Sequence, residues 1–175
     1  SFYMLFVWMP TYYTDILDPP IPHAHMVNTV SMVLLLALLP VAGALSDRFG
    51  RRRVLLVAMS LNALLVYPLF MAVDTGQVAF ALAAQLGFAV LVASIQGPMP
   101  AYMAEMFPTR IRASALGISY NVTLGLLGGT APLIATWLIS STGDLAAPAF
   151  YLMFLSVVSI IALLTLRVEE GGPLP

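Results

Sequence analysis

Long apolar runs broken by short polar clusters set the plan of this chain. The apolar runs cover roughly residues 1–17, 27–45, 54–73, 77–104, 113–141 and 148–166. The charges gather between them, at Asp15 to Asp18, Asp47 to Arg53, Asp74, Glu105 to Arg112, Asp144, and Arg167 to Glu170. A helix rising about 1.5 Å per residue needs about 20 apolar residues to cross about 30 Å of hydrocarbon. A charge at the centre of such a span costs several kcal/mol, so charges mark the connections. Ten-residue stretches of alternating polarity, the mark of a membrane β-barrel, do not occur. The pattern predicts an all-α polytopic membrane bundle of six transmembrane helices, a single domain over 1–175. The first run is short at its open end, as if the chain were entered partway through a helix. The fourth and fifth exceed a minimal span and should tilt, kink or project from the bilayer.

Composition excludes other classes. Of 175 residues, 61% are hydrophobic and 9% charged, against roughly a quarter charged in soluble domains. Seven basic and eight acidic side chains cannot cover the surface of a soluble enzyme of this size. A net charge of −1 speaks against disorder and nucleic-acid binding. Cysteine is absent, which removes disulfides and thiolate metal sites. The start at Ser1 lacks the basic segment of a signal peptide.

All seven basic residues are arginine, and their placement gives an orientation. Arg48, Arg51, Arg52 and Arg53 lie in the loop 46–53, Arg110 and Arg112 in the loop 105–112, and Arg167 at the tail. In a six-helix topology these sites share one side, and the other three connections carry only aspartates. The positive-inside rule therefore places both termini and both arginine loops in the cytoplasm.

The loop at 43–53 reads Gly43-Ala-Leu-Ser-Asp47-Arg48-Phe-Gly50-Arg51-Arg52-Arg53. Gly50 supplies turn freedom, Gly43 allows close helix approach, and Asp47 can complement a helix N-terminus. A positively charged topogenic loop is the plain reading. The pattern also resembles the G-x-x-x-D-R-x-G-R-R loop of the major facilitator superfamily, which joins the second and third helices of each six-helix half. The loop Glu105-Met-Phe107-Pro108-Thr-Arg110-Ile-Arg112 resembles the E-x-F-P-x-x-x-R segment between the tenth and eleventh helices of those proteins. There Pro108 ends a helix, and Glu105 and Arg112 can pair. The stretch from Ala115 through Asn121 to Gly128-Gly129-Thr130 and Trp137 is similar to the metabolite:proton symporters within the superfamily. Those carry citrate, 2-oxoglutarate, shikimate, proline or betaine; Ser141 to Asp144 followed by Pro148 to Met153 agrees with the citrate-like branch. The resemblance covers essentially the whole chain as a carboxy-terminal half, helices seven to twelve, built as two three-helix inverted repeats.

Polar residues within the spans are the binding candidates. Gln85 and Gln96 are eleven residues apart and fall on nearly one helical face. Gln96-Gly97-Pro98-Met99-Pro100 then breaks the fourth span, giving either a kink between packed helices or a cavity-lining segment. Gly117, Asn121, Gly125 and Gly129 form a small-residue stripe on the fifth span, read as helix packing; Asn121 needs a polar partner, and Tyr120 adjoins it. Trp8, Thr11 and Tyr12 surround Pro10 on the first span. Trp8 and Tyr12 are four apart and share a face. An aromatic belt at the outer boundary is the plainer account of Tyr12 and Tyr13 but fits the deeper Trp8 less well. Asn28 and Ser31 share a face of the second, where capping and packing are the plainer account. The connector carrying His23 and His25 is rich in proline and should be extended; the histidines could sense pH or bind a metal, though loop histidines usually do neither. No catalytic motif is present.

The resemblance implies a secondary active transporter: proton-coupled symport of a small organic acid or zwitterion in a bacterial inner membrane, by alternating access. It implies no cofactor or resident metal, with the proton as coupling ion. Substrate-cavity candidates are Trp8, Thr11, Tyr12, Asn28, Ser31, Gln85, Gln96, Tyr120 and Asn121. A cytoplasmic gate would use Gly43, Asp47, Arg48, Gly50, Arg51, Arg52, Glu105, Arg110 and Arg112. The five complete spans hold no charge at their centres, so the charges for coupling must come from an amino-terminal half or a second chain. The competing readings are a six-helix fragment acting only by assembly, with itself or a partner, and a membrane pH sensor.

Overall fold

The structure is a computed structural model that describes residues 1–165; the expected end of the last span at 166 and the charges from Arg167 to Glu170 lie outside the described residues. Every regular element among the described residues is helical. Helix α1 (residues 3–16) joins two π-helical stretches, Tyr3–Trp8 and Tyr12–Ile16, through the short α-helical Met9–Thr11. It is followed by α2 (Ala24–Phe49), α3 (Arg51–Asp74), α4 (Val78–Gln96), α5 (Met99–Met106), α6 (Arg112–Thr123), a π-helical turn at Leu124–Gly128, α7 (Ala131–Thr142) and α8 (Ala147–Thr165).

Five helical units among the described residues are long and apolar enough to cross a membrane: Ala24–Phe49, Arg51–Asp74, Val78–Met106, Arg112–Thr142 and Ala147–Thr165. Helix α1, by contrast, spans only about 20 Å at ordinary helical rise, shorter than a crossing. The two longest units are also the interrupted ones. Gly97 and Pro98 separate α4 from α5, whose first turn carries Pro100, and Gly128, Gly129 and Pro132 flank the join before α7.

The helices pack through α4, which lies against α2 and α3; α3 also packs along α8, and α8 along α7. The approach of α2 to α4 is tightest at Gly97, where a Cβ would stand 2.8 Å from both Ala42 Cβ and Leu39 O. Gly43 is less critical, since its Cβ would meet Gly97 O at an ordinary 3.8 Å. Gly50 turns the chain between α2 and α3 with φ +90°, a conformation open to glycine.

Helix α1 is the most enclosed part. Met4, Leu5, Phe6, Met9, Tyr12 and Tyr13 are buried within the main apolar cluster. A second cluster, Leu55, Ala58, Met59, Ile95, Tyr102 and Leu163, closes the end of the bundle that carries the arginine loops. The outer surface is the reverse of a water-soluble one, with Val33, Leu36, Leu64, Leu133 and Phe154 all strongly exposed. A continuous apolar exterior of this kind requires lipid. The unit Arg112–Thr142 is the least enclosed, with 11% of its most apolar stretch buried against 50% for Val78–Met106.

The connector before α2 is pinned as well as stiffened by its prolines. Leu17 and Ile21 are buried, and Ile21 N–H donates to Tyr13 O at 2.9 Å. His23 adopts φ +58°, and its carbonyl accepts from Met26 and Val27 N–H at the start of α2. The side chains of His23 and His25 are exposed.

Candidate functional site

The arginine end is held by a fork. Arg51 opens α3, donates from Nη2 to Asp47 Oδ1 at 2.8 Å, and places Nη1 2.7 Å from Glu105 Oε1 on α5. A planar guanidinium suits two carboxylates in this way, where an ammonium would not. Arg52 donates from Nε to Leu163 O at 2.8 Å and from Nη2 to Leu164 O at 3.2 Å. It thereby caps carbonyls at the end of α8. Two expectations are corrected here. Glu105 pairs with Arg51 and not with Arg112, whose Nε donates instead to Phe107 O at 3.2 Å. Asp47 reaches the Arg51 side chain in preference to a backbone N-terminus. The cause is the packing of α3 on α5, which brings a nearer cation to Glu105. Arg48 and Arg110 are exposed.

Within the bundle, polar groups from the first, second and fourth spans converge. Gln85 is fully enclosed. Its Nε2 donates to Leu5 O at 2.7 Å and to Asn28 Oδ1 at 3.1 Å, and its Oε1 accepts from Tyr13 OH at 2.7 Å. Asn28 Nδ2 donates to Phe6 O at 3.1 Å. Both N–H groups of Gln85 are therefore taken by protein. Ser31 is buried and bonds back to Val27 O at 2.8 Å within its own helix. Trp8 and Tyr12 do share a face, with ring centroids 5.1 Å apart. Trp8 Nε1 donates to Thr136 Oγ1 at 3.0 Å, and Tyr12 OH to Leu145 O at 3.1 Å, so both tie α1 to the α7–α8 side. Thr11 is exposed.

A cavity of about 340 Å³ opens between α1, α3, α4, α5, the fifth span and α8. Its lining brings Gln96 and Tyr120 together with Phe2, Tyr3, Met99, Met103, Ser119, Thr123 and Tyr151, and contains no charged side chain. Gln85 and Gln96 thus diverge despite their common helical face. Helix α1 lies over the first, and the second faces the cavity, whose rim carries Phe2 and Tyr3. Asn121 stays outside, exposed, with Nδ2 donating to Gly117 O at 2.7 Å on its own helix. The small-residue stripe has no helix against it among the described residues, since a Cβ at Gly117 or Gly125 would meet nothing within 4 Å.

Sequence reasoning passed over several residues. Asn62 on α3 is completely buried, and its Nδ2 donates to Ser156 Oγ at 2.7 Å on the cavity wall. Its Oδ1 and the buried Tyr151 OH have no hydrogen-bond partner among the described residues. The rule applied to Asn121, that an amide in a span needs a partner, finds Asn62 directly. Tyr13 was hidden by its position beside the membrane boundary, where an aromatic belt explains tyrosine without a hydrogen bond.

Against known proteins, the family model described as Major Facilitator Superfamily matches residues 1–174. The chain is 34% identical over 174 residues to the proline/betaine transporter of Escherichia coli (strain K12), covering 99% of this chain and 35% of that protein. It is 32% identical to the glycine betaine/proline/ectoine/pipecolic acid transporter OusA of Dickeya dadantii (strain 3937), covering 99% and 34% respectively. To the ectoine/proline transporter ProP of Corynebacterium glutamicum it is 34% identical, covering 98% and 34%. The chain therefore spans about a third of the length of the curated relatives it matches. No solved structure matches it significantly. Its arginine loops, apolar helices and match over nearly the whole length agree, and the chain belongs to the Major Facilitator Superfamily.

Proposed function

We propose that this chain is the carboxy-terminal half of a secondary active transporter that moves a small zwitterionic metabolite with protons by alternating access. The observation that carries this reading is the match of residues 1–174 to the superfamily, together with relatives named for proline, betaine and ectoine. Those names favour a zwitterion over the citrate-like organic acid. The cavity supports the same choice, because a largely apolar wall with hydroxyls, one amide, aromatic rings and no charged side chain suits a solute of zero net charge.

In this reading the chain forms one wall of the pathway. Its partner is an amino-terminal six-helix half, packed on the open face at Gly117 and Gly125 and rocking against it across the solute. The proton-carrying group belongs to that other half, since the membrane-crossing helices here are uncharged at their centres. The arginine loops face the cytoplasm of a bacterial inner membrane, and the Arg51 fork with Asp47 and Glu105 joins helices at the cytoplasmic gate.

The test is uptake of radiolabelled proline and glycine betaine into proteoliposomes by the complete transporter carrying this half. Uptake that rises with an inward proton gradient and collapses with a protonophore is expected. Gradient-independent uptake would overturn proton coupling, and full uptake by residues 1–175 alone would overturn the half-transporter reading.

A further inference from the structure

Pro10 has no backbone N–H. In α1 that missing donor would serve Phe6 O at α-helical spacing, or Leu5 O at the π-helical spacing of the Tyr3–Trp8 stretch. These same two carbonyls receive donors from other helices. Asn28 Nδ2 on α2 reaches Phe6 O, and Gln85 Nε2 on α4 reaches Leu5 O. The Gln85 amide also accepts from Tyr13 OH, which lies beyond the proline. One enclosed side chain therefore grips α1 on both sides of Pro10, and Asn28 braces it through the bond from Gln85 Nε2.

We propose that Asn28 and Gln85 are surrogate donors for the ladder position that Pro10 leaves empty. With Tyr13 they form a latch that holds the two π-helical stretches of α1 together across Pro10. They are positioning residues that act through α1 and do not contact the solute. Without them the carbonyls of Leu5 and Phe6 face a low-dielectric interior with no water to replace the lost donor. The two segments of α1 would then hinge at Met9–Thr11.

Thermal unfolding of the complete transporter in detergent tests the latch by a double-mutant cycle. Gln85→Met lowers Tm by several degrees in the native background. Pro10→Ala returns a backbone N–H to α1, and in that background the same substitution should lose less than half as much. Equal losses in both backgrounds would overturn the proposal. Asn28→Leu gives the same cycle through Phe6 O, and it remains available if Gln85→Met does not fold.

A second arm rests on the transport reading. In proline uptake, Gln85→Met should lower the maximal rate at least about fivefold, with the half-saturating concentration within about twofold of the parent. Adding Pro10→Ala should recover much of that rate. A tenfold rise in half-saturation at unchanged maximal rate would make Gln85 a solute ligand and overturn the positioning role. If the unaltered protein takes up no proline, the proline-transport reading fails, while the unfolding cycle still decides the latch.

Discussion

Asn62 on α3 donates to Ser156 on α8 across 2.7 Å, a side-chain hydrogen bond between two buried groups where the helices pack. The bond is only half of what the amide requires, because Asn62 Oδ1 has no partner among the described residues. Removing one member of a buried pair costs about 1–3 kcal/mol, whereas replacing both by apolar groups of similar shape is nearly neutral. Ser156→Ala should therefore destabilise by an amount in that range, and Asn62→Leu combined with Ser156→Ala by distinctly less. Equilibrium unfolding in mixed detergent measures both. A double variant at least as unstable as Ser156→Ala alone would show that the amide has a further, unseen partner.

The Arg51 fork should contribute less than its short distances imply. The side chains of Arg51 and Glu105 keep 25% and 29% of their exposure, and Asp47 keeps 60%. Partly exposed ion pairs contribute about 0–1 kcal/mol and weaken with salt. A cycle of Arg51→Gln and Glu105→Gln should return a coupling of at most about 1 kcal/mol at low ionic strength, shrinking in molar salt. Arg51→Lys should lose most of it, because a point charge cannot serve both carboxylates with fixed geometry. Retention of the full coupling by lysine would show that charge alone, without the fork, holds α3 to α5.

Much of this architecture is legible along the chain, and the failures have a common physical origin. The charge clusters locate the helix ends because a charge cannot be left in hydrocarbon, a rule that acts on each residue locally. Pro108 likewise stops α5 by its own covalent geometry. What a side chain touches is another matter. Glu105 could be offered Arg112 from sequence because the two are neighbours in the loop, yet α3 presents Arg51 closer. Gln85 and Gln96 share a helical face, but α1 covers one and the cavity exposes the other. The sequence leaves Trp8, Tyr12 and Asn28 open as solute contacts beside the plainer accounts of belt and packing, and only the packing of α1 turns them toward Thr136, Leu145 and Phe6. Polar residues in a span announce that a partner exists without identifying it.

With no cysteine among residues 1–175, a single cysteine placed here in an otherwise cysteine-free transporter is a clean probe of orientation. Arg110 and Asp144 stand in exposed connections at opposite ends of Arg112–Thr142. Under the proposed orientation, an impermeant maleimide added outside intact cells should label Asp144→Cys. It should label Arg110→Cys only after the membrane is opened. The reverse pattern would invert the topology.

Glycine substitutions separate contacts made within this chain from those expected of a partner half. At Gly97 an added Cβ would strike Ala42 Cβ and the Leu39 carbonyl, each at 2.8 Å. One of these is backbone, so α2 and α4 must part, and overpacking of this kind costs about 1–3 kcal/mol. Gly97→Ala should therefore lower the stability of residues 1–175 in detergent. At Gly117 and Gly125 nothing lies within 4 Å, so Gly117→Leu and Gly125→Leu should leave that stability within about 0.5 kcal/mol. In the complete transporter the outcome should differ, because a close-packed helix partner does not tolerate a leucine where glycine let the backbones meet. There Gly125→Leu should sharply reduce uptake and loosen the association of the two halves when they are expressed as separate chains. Undiminished uptake and assembly with Gly125→Leu would mean that the open face of the fifth span looks onto lipid, and that the amino-terminal half docks elsewhere.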